Sequence, residues 1–296
     1  MGCELLDGRP VARALRERAL GELTRFRNVY GQNPGLAIVL IGEDPSAHAY
    51  RAAICKVAES VGIYTDVLAL AADSSQERVN ALIDQLNARP DIHGFVVLQP
   101  LPPHLSRVEI ADRIDPLKDI DGITTFNAGR LFHDDRDVLA PSTPAGGMAL
   151  LKHYDVPLAG QHAVVVGRSP VVGKPMAALL LAANATVTIC HSRTRNLGAF
   201  TRQADIVVAA IGRAGAITGD MLKPGATVLD FGVNFVGGQM VGDVDADSVL
   251  PVAGRLTPVP GGTGRVTTIV LVRNVIKAGT LQYSQQQQAS RRQPAT

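Results

Sequence analysis

Residues 163–175 read AVVVGRSPVVGKP, an apolar run that ends on a glycine turn and enters a helix-forming stretch. Short β-branched runs of this kind are strands buried on both faces. Alternated with helix-period segments, they build parallel sheets. The rest of the chain keeps that alternation. Upstream, helical spacing over 10–27 precedes GLAIVLI at 35–41, a second buried strand. A helix over 46–61, a strand over 64–70, a helix over 76–86 and a strand over 93–98 follow. Downstream come strands over 186–190, 205–211 and 226–231, then an apolar helix over 267–278. The expected class is α/β, in two α/β domains that divide near 138–144, where VLAPSTP carries two prolines before a helix capped by Ser142 or Thr143.

The expected first domain is 1–142, completed by the C-terminal helix over 267–280, because so apolar a chain end needs a partner. The second is 143–266. The tail over 284–296 is low in complexity and is expected to be disordered. The stretch QPLPP after the strand over 93–98 leaves the ladder, since proline cannot donate to it. That sets a stiff loop at a strand's carboxyl end, where open α/β sheets keep their ligands.

With 296 residues the chain is long enough to bury a core in each domain. Hydrophobic residues at 46% and charged residues at 19% exclude a disordered protein. Lys and Arg number 29 against 27 acids, so the net charge of +2 argues against a general nucleic-acid binder. Seven Phe, five Tyr and no Trp leave few platforms for stacking bases. Cys3, Cys55 and Cys190 are odd in number and far apart, which favours a reducing compartment. No apolar run approaches the roughly 18 residues of a membrane span, and Asp7 and Arg9 interrupt any signal core. A soluble cytoplasmic protein is expected.

In 163–175 the turn aims backbone N–H groups and a helix N-terminus at one point, an arrangement that favours phosphate. The spacing Gly167-x-Ser169-x-x-x-Gly173 is not GxGxxG, so a plain strand-to-helix turn stays open on spacing alone. The next strand, TVTIC, runs into His191-Ser192-Arg193-Thr194-Arg195. An NAD-type site places an acid there for the ribose 2′-hydroxyl, and none is present. A hydroxyl and guanidinium groups, with Arg168 from the first turn, suit a 2′-phosphate instead. Arg193 or Arg195 alone reads as solvated loop charge; together with Ser192 and Arg168 they favour NADP on a Rossmann-like second domain.

Three segments carry a more specific pattern: PLKDIDGITTFNAGRL (116–131), GRSPVVGKP (167–175) and TPVPGGTGRVT (257–267). With them the chain resembles the methylenetetrahydrofolate dehydrogenase/methenyltetrahydrofolate cyclohydrolase (FolD-type) family over about residues 3–280, as a divergent member. The resemblance implies a folate-binding first domain, an NADP-binding second domain, a cleft between them and a homodimer. It implies that Tyr50 stacks near the folate and that Asp121 holds the pterin. Leu98, Gln99 and Pro100 would line the substrate side, and Pro260, Gly261 and Gly262 the loop closing over folate and cofactor. Gly167, Arg168, Ser169 and Ser192 match NADP contacts, and Val233 a backbone position beside the nicotinamide. Taken singly, Tyr50 also reads as a half-buried helix residue, Asp121 as a turn former and Gly261-Gly262 as a simple turn.

The pattern breaks where the family does its water chemistry. Its tyrosine is followed four positions later by a lysine, and here that position is Ile54. Lys56 is a poor substitute: on a helix, i+4 lies about 40° from Tyr50 but i+6 about 120° away on the other side. It matches the family's second lysine, a solvated or phosphate-side charge. The family's Val-Gln-Leu-Pro is Val97-Leu98-Gln99-Pro100, so Leu98 takes the glutamine position. Gln99 points to the opposite face unless the backbone is irregular. Arg265 replaces a family proline, its role open between the substrate's glutamate tail and solvent.

Hydrolysing a methenyl bridge needs a polar group of tuned pKa, which isoleucine and leucine do not supply. Hydride transfer mainly needs two rings held in place, within reach of Tyr50, Asp121 and the cofactor site. The expected activity is NADP-dependent oxidation of 5,10-methylenetetrahydrofolate to the 5,10-methenyl form, with cyclohydrolase weak or lost. No metal is expected. The alternatives are a fully bifunctional enzyme, a dehydrogenase for a modified folate or other pterin, and a non-catalytic NADP-binding paralogue.

Overall fold

A computed structural model describes residues 2–135 and 137–292. In chain order its elements begin with β1 (Glu4–Leu5), α1 (Gly8–Tyr30), β2 (Gly35–Ile41), α2 (Pro45–Val61), β3 (Tyr64–Leu70) and α3 (Gln76–Ala88). Then come β4 (Gly94–Val97), α4 (Arg107–Arg113), α5 (Thr125–Phe132), α6 (Ser142–His153), β5 (His162–Val166) and α7 (Gly173–Ala182). They are followed by β6 (Thr186–Cys190), α8 (Leu197–Thr201), β7 (Ile206–Ala209), β8 (Thr227–Asp230), β9 (Asn234–Val236) and β10 (Gln239–Val241). Last are α9 (Ala246–Val249), β11 (Arg255–Leu256) and α10 (Thr263–Arg292). No helix among the described residues is long and apolar enough to cross a membrane.

The chain divides into two units, Leu15–Ser142 with the chain from Thr268 onward, and Met1–Ala14 with Thr143–Thr267. The first is built on a parallel sheet in the order β3-β2-β4. Its central strand β2 is buried at every position, which explains the unbroken apolar run GLAIVLI. Phe95 and Val97 of β4 pack with Val79, Leu82, Ile83 and Leu86 of α3 and with Ile110 of α4. Lys118, itself buried, donates through Nζ to the carbonyls of Leu86, Asn87 and Arg89. It thereby caps the end of α3, where Leu86 O also accepts from Arg89 N.

The second unit holds a six-stranded parallel sheet in the order β1-β11-β8-β7-β5-β6. β5, β7 and β8 carry the core, with α7 covering one face through Met176, Ala177 and Leu180. The two-residue strand β1 pairs with β11, Glu4 opposite Arg255 and Leu5 opposite Leu256. This places Met1–Ala14 with the second sheet rather than with 15–142, where the sequence grouped it. A two-residue strand has no periodicity to read.

At the other end, the sequence sets the last helix at 267–278 and a disordered segment from 284, whereas α10 starts at Thr263 and continues to Arg292. Gln, Ala and Arg are sound helix formers, so a polar, repetitive composition does not exclude a helix there. The continuation is also anchored. Gln282 Nε2 donates to the carbonyls of His93 and Leu117, and the Tyr283 ring stacks on Tyr30 at 4.2 Å. Residues 293–296 of the expected tail lie outside the described residues.

Candidate active site and cofactor site

In the first unit the candidate residues lie on α2, at the end of β4 and in the loop before α5. Asp44 starts α2, accepting from the N–H groups of Ser46 and Ala47, with Pro45 at the first helical position. Ala47, Ile54, Ala58 and Val61 form the buried face of the helix. Tyr50 is half-buried one turn before Ile54, which has no exposed surface, and Lys56 is exposed. At the end of β4 the Leu98 N–H donates to Val39 O at 2.9 Å. Leu98 is buried, while Gln99 and Pro100 are exposed. Ile54 and Leu98 are thus both buried aliphatic side chains.

Asp121 is held by its neighbour in the KDIDG segment. Asp119 is fully buried and accepts from Ile123 N, Thr124 N and Asn127 Nδ2 at 2.9 to 3.0 Å, which fixes the turn. Gly122 follows with φ +61, and a Cβ there would lie 2.4 Å from Leu139 O, so only glycine fits. The half-buried Asp121 accepts from Ser142 Oγ at 2.9 Å. Burial, aided by the Asp119 charge, pushes the Asp121 carboxyl up to about 6. The hydrogen bonds from Ser142 and the positive charge of Arg107 act in the other direction. The Tyr50 phenol is raised well above its ordinary value by burial and by the Asp121 charge, with the Ser142 hydroxyl acting in the other direction.

The structure therefore brings Tyr50, Asp121 and Ser142 together, Ser142 closing the unit's first segment. Sequence reading marked Ser142 only as a possible helix cap, and no local motif ties it to positions 50 and 121. Arg107, the cation acting on Asp121, was likewise not marked.

In the second unit the glycine turn after β5 shows why its glycines stand where they do. Gly167 has φ +134, and a Cβ on it would lie 2.1 Å from Ala210 O. A Cβ on Gly173 would lie 2.2 Å from Gly167 O. The turn is thus packed backbone against backbone, with the start of α7 aimed across it. Ser169 Oγ accepts from the N–H groups of Val172 and Gly173, so this hydroxyl caps the helix and keeps its own proton to donate. Arg168 is exposed beside it.

After β6, Thr194 Oγ1 accepts from His191 N and His191 Nδ1 accepts from Arg193 N. That tight turn presents Ser192 and Arg193 to solvent with no acid among them; Arg195 is also exposed. A phosphate-bearing dinucleotide fits this donor set: a close-approach glycine turn, a helix N-terminus, hydroxyls and guanidinium groups. Val233 follows β8 and is 60% exposed. Pro260 and Arg265 are exposed, and Gly261 and Gly262 turn tightly, Gly261 O accepting from Gly8 N and Gly262 N donating to Pro258 O. These positions belong to the second unit, as Tyr50 and Asp121 belong to the first. Among the described residues, no group of His, Cys, Asp and Glu could hold a metal ion.

Residues 6–121 match the tetrahydrofolate dehydrogenase/cyclohydrolase catalytic domain, and residues 141–283 the NAD(P)-binding domain of the same family. The Bifunctional protein FolD of Roseiflexus sp. is 51% identical over 97% of this chain and 98% of its own. The chain belongs to the tetrahydrofolate dehydrogenase/cyclohydrolase family. Among solved structures, the bifunctional FolD dehydrogenase/cyclohydrolase of Campylobacter jejuni is similar with a TM-score of 0.92 at 37% identity, covering 95% of this chain and 99% of that one. The Trypanosoma brucei FolD, solved with NADP and an inhibitor, gives 0.90 at 33% identity, covering 96% and 99%. The chain thus has the tetrahydrofolate dehydrogenase/cyclohydrolase fold, with an NAD(P)-binding second domain.

Proposed function

We propose that this protein oxidises 5,10-methylenetetrahydrofolate to the 5,10-methenyl form with NADP, and that its cyclohydrolase activity is weak or lost. The observations supporting this reading are the burial of the aliphatic side chains Ile54 and Leu98 and the pairing of Ser142 with Asp121, whose charge acts on Tyr50. In its ionised form the Asp121 carboxylate accepts from the pterin's N–H groups, and Ser142 keeps it oriented for that. Tyr50 packs against the folate ring and shields the one-carbon bridge from water. Leu98, Gln99 and Pro100 border the substrate at the end of β4, and Pro260, Gly261 and Gly262 form a closing loop. Gly167, Arg168, Ser169 and Ser192 hold the cofactor phosphates, and Val233 lies beside the nicotinamide.

Bound NADP supplies the hydride acceptor, and the folate's own nitrogen lone pair assists the departure of hydride from the methylene carbon. The protein's task in that step is placement, which needs no titrating side chain at the carbon. Hydrolysis of the methenyl product differs: water must be deprotonated and a ring nitrogen protonated. The cation acting on Asp121 is Arg107, and a guanidinium offers only donors, with no lone pair to take a proton from water.

The second reading, a fully bifunctional enzyme, is supported by the relatives named bifunctional FolD at 43% to 51% identity. It requires another group to replace the lysine. Purified protein given 5,10-methylenetetrahydrofolate and NADP should form reduced NADP. Absence of turnover with this substrate would favour another pterin, or a paralogue that only binds NADP. A homodimer in a reducing, cytoplasmic setting completes the proposal, and sedimentation gives the oligomeric state.

A further inference from the structure

Asp230 at the end of β8 and Asp243 beyond β10 are both buried, at 2% and 0% exposure. Asp230 Oδ1 accepts from Gly232 N at 2.7 Å and Asp243 N at 3.0 Å, and its Oδ2 from Val244 N at 3.0 Å. Asp243 Oδ2 accepts from Ile211 N at 2.6 Å and Gly212 N at 2.9 Å. Its Oδ1 accepts from Arg213 N at 2.8 Å and Asn234 Nδ2 at 2.9 Å. Four donors fill the acceptor capacity of one carboxylate, which is what makes its burial tolerable.

These bonds join two separate loops. Residues 211–213 follow β7, residues 231–234 follow β8, and β7 and β8 are neighbours in the parallel sheet. Ligands of such sheets bind beyond the carboxyl ends of the strands. Val233 stands exposed between two tethered neighbours, Gly232 held by Asp230 and Asn234 held by Asp243. The carboxylates also occupy the room that side chains would need. A Cβ on Gly232 would lie 2.4 Å from Asp243 Oδ1, and one on Gly242 1.8 Å from Asp230 Oδ2. If only stability were at stake, packed apolar groups would serve as well as buried charge. A carboxylate that saturates itself on two loops fixes their spacing.

We propose that Asp243, braced by Asp230, is a positioning residue of the cofactor site, locking 211–213 and 232–234 into one surface against which the nicotinamide end of NADP rests. The inference deepens the cofactor reading above and rests on it. Asn234 is the arm that ties the second loop to Asp243, and removing it leaves the three backbone hydrogen bonds of Asp243 in place.

The test compares wild type, Asn234→Ala and Asp243→Asn in the full-length protein by calorimetric NADP titration, by separate KM values for NADP and folate, and by thermal midpoint. Asn234→Ala should fold with a lower thermal midpoint, since a buried carboxylate loses one of its donors, and should lose about tenfold in NADP affinity because the second loop is no longer tied. Its folate KM should stay within about twofold, and Asp243→Asn should show a larger loss of the same kind. Wild-type NADP affinity in a folded Asn234→Ala protein, or an equal rise in both KM values, would overturn the proposal. If Asp243→Asn does not fold, Asn234→Ala decides alone. Wild type that binds NADP without oxidising folate refutes the proposed reaction while the calorimetric comparison still decides the clamp; wild type that binds no NADP refutes both.

Discussion

Ser142 Oγ donates to Asp121 Oδ1 at 2.9 Å, and this pair acts on the Tyr50 phenol, the carboxylate raising its pKa and the hydroxyl lowering it. One hydroxyl thus couples the two residues proposed to hold the folate, although they lie 71 positions apart in the chain. Replacing it, Ser142→Ala, leaves the carboxylate without its nearest donor. The expected outcome is a folate KM about tenfold higher, the scale of a hydrogen bond to a charged group, with the KM for NADP unchanged. Steady-state kinetics with each substrate varied in turn checks it.

The Asp121 carboxyl, pushed up to about 6 by burial, sets a pH dependence. A protonated carboxyl accepts less well from pterin N–H groups, so folate KM should rise as pH falls through about 6. In Ser142→Ala the loss of a bond that favours the ionised form moves that rise to higher pH. A folate KM independent of pH between 5 and 7.5, as a range of about two units around that value, would remove Asp121 from this role.

The same shift bears on stability. The folded carboxyl titrates near 6, above its unfolded value of 3.8, so its ionisation opposes folding. Stability from this group is complete below about 3.8 and is lost as pH rises through about 6. Asp121→Asn should therefore stabilise the free protein at neutral pH by on the order of 2 kcal/mol while weakening folate binding. The gain should shrink toward pH 4, and urea unfolding at both pH values reads it.

Ser192 sits at the tip of the turn after β6 with no acid nearby in sequence. Ser192→Asp places a carboxylate where the 2′-phosphate of NADP is proposed to lie and where an NAD site keeps its acid. The ratio of kcat/KM for NADP over that for NAD should fall by about a hundredfold, as for a like-charge contact plus a lost donor. An unchanged ratio would move the phosphate away from Ser192.

Much of this architecture is written locally. β2 and β5 announce themselves because strands buried on both faces are continuous β-branched runs, and the turn from Gly167 to Gly173 because its glycines are sterically required. What escaped the sequence is what depends on partners far along the chain. Glu4–Leu5 becomes a strand only by pairing with Arg255–Leu256. The Gln-rich stretch of α10 is helical beside anchors at His93, Leu117 and Tyr30. Ser142 reads as a helix cap, and Asp230 and Asp243 carry no local signal until folding brings their donors to them. Positions 54 and 98 stand out only against the family resemblance, and the structure adds that both side chains are buried.

The most direct test of the account measures both activities on one preparation: oxidation of 5,10-methylenetetrahydrofolate by NADP, and decay of 5,10-methenyltetrahydrofolate with and without enzyme. Dehydrogenase turnover with methenyl decay no faster than the spontaneous rate is the expected result. Enzyme-driven hydrolysis at a rate comparable with the dehydrogenase step would contradict it, and would mean that a group other than a lysine at position 54 activates the water.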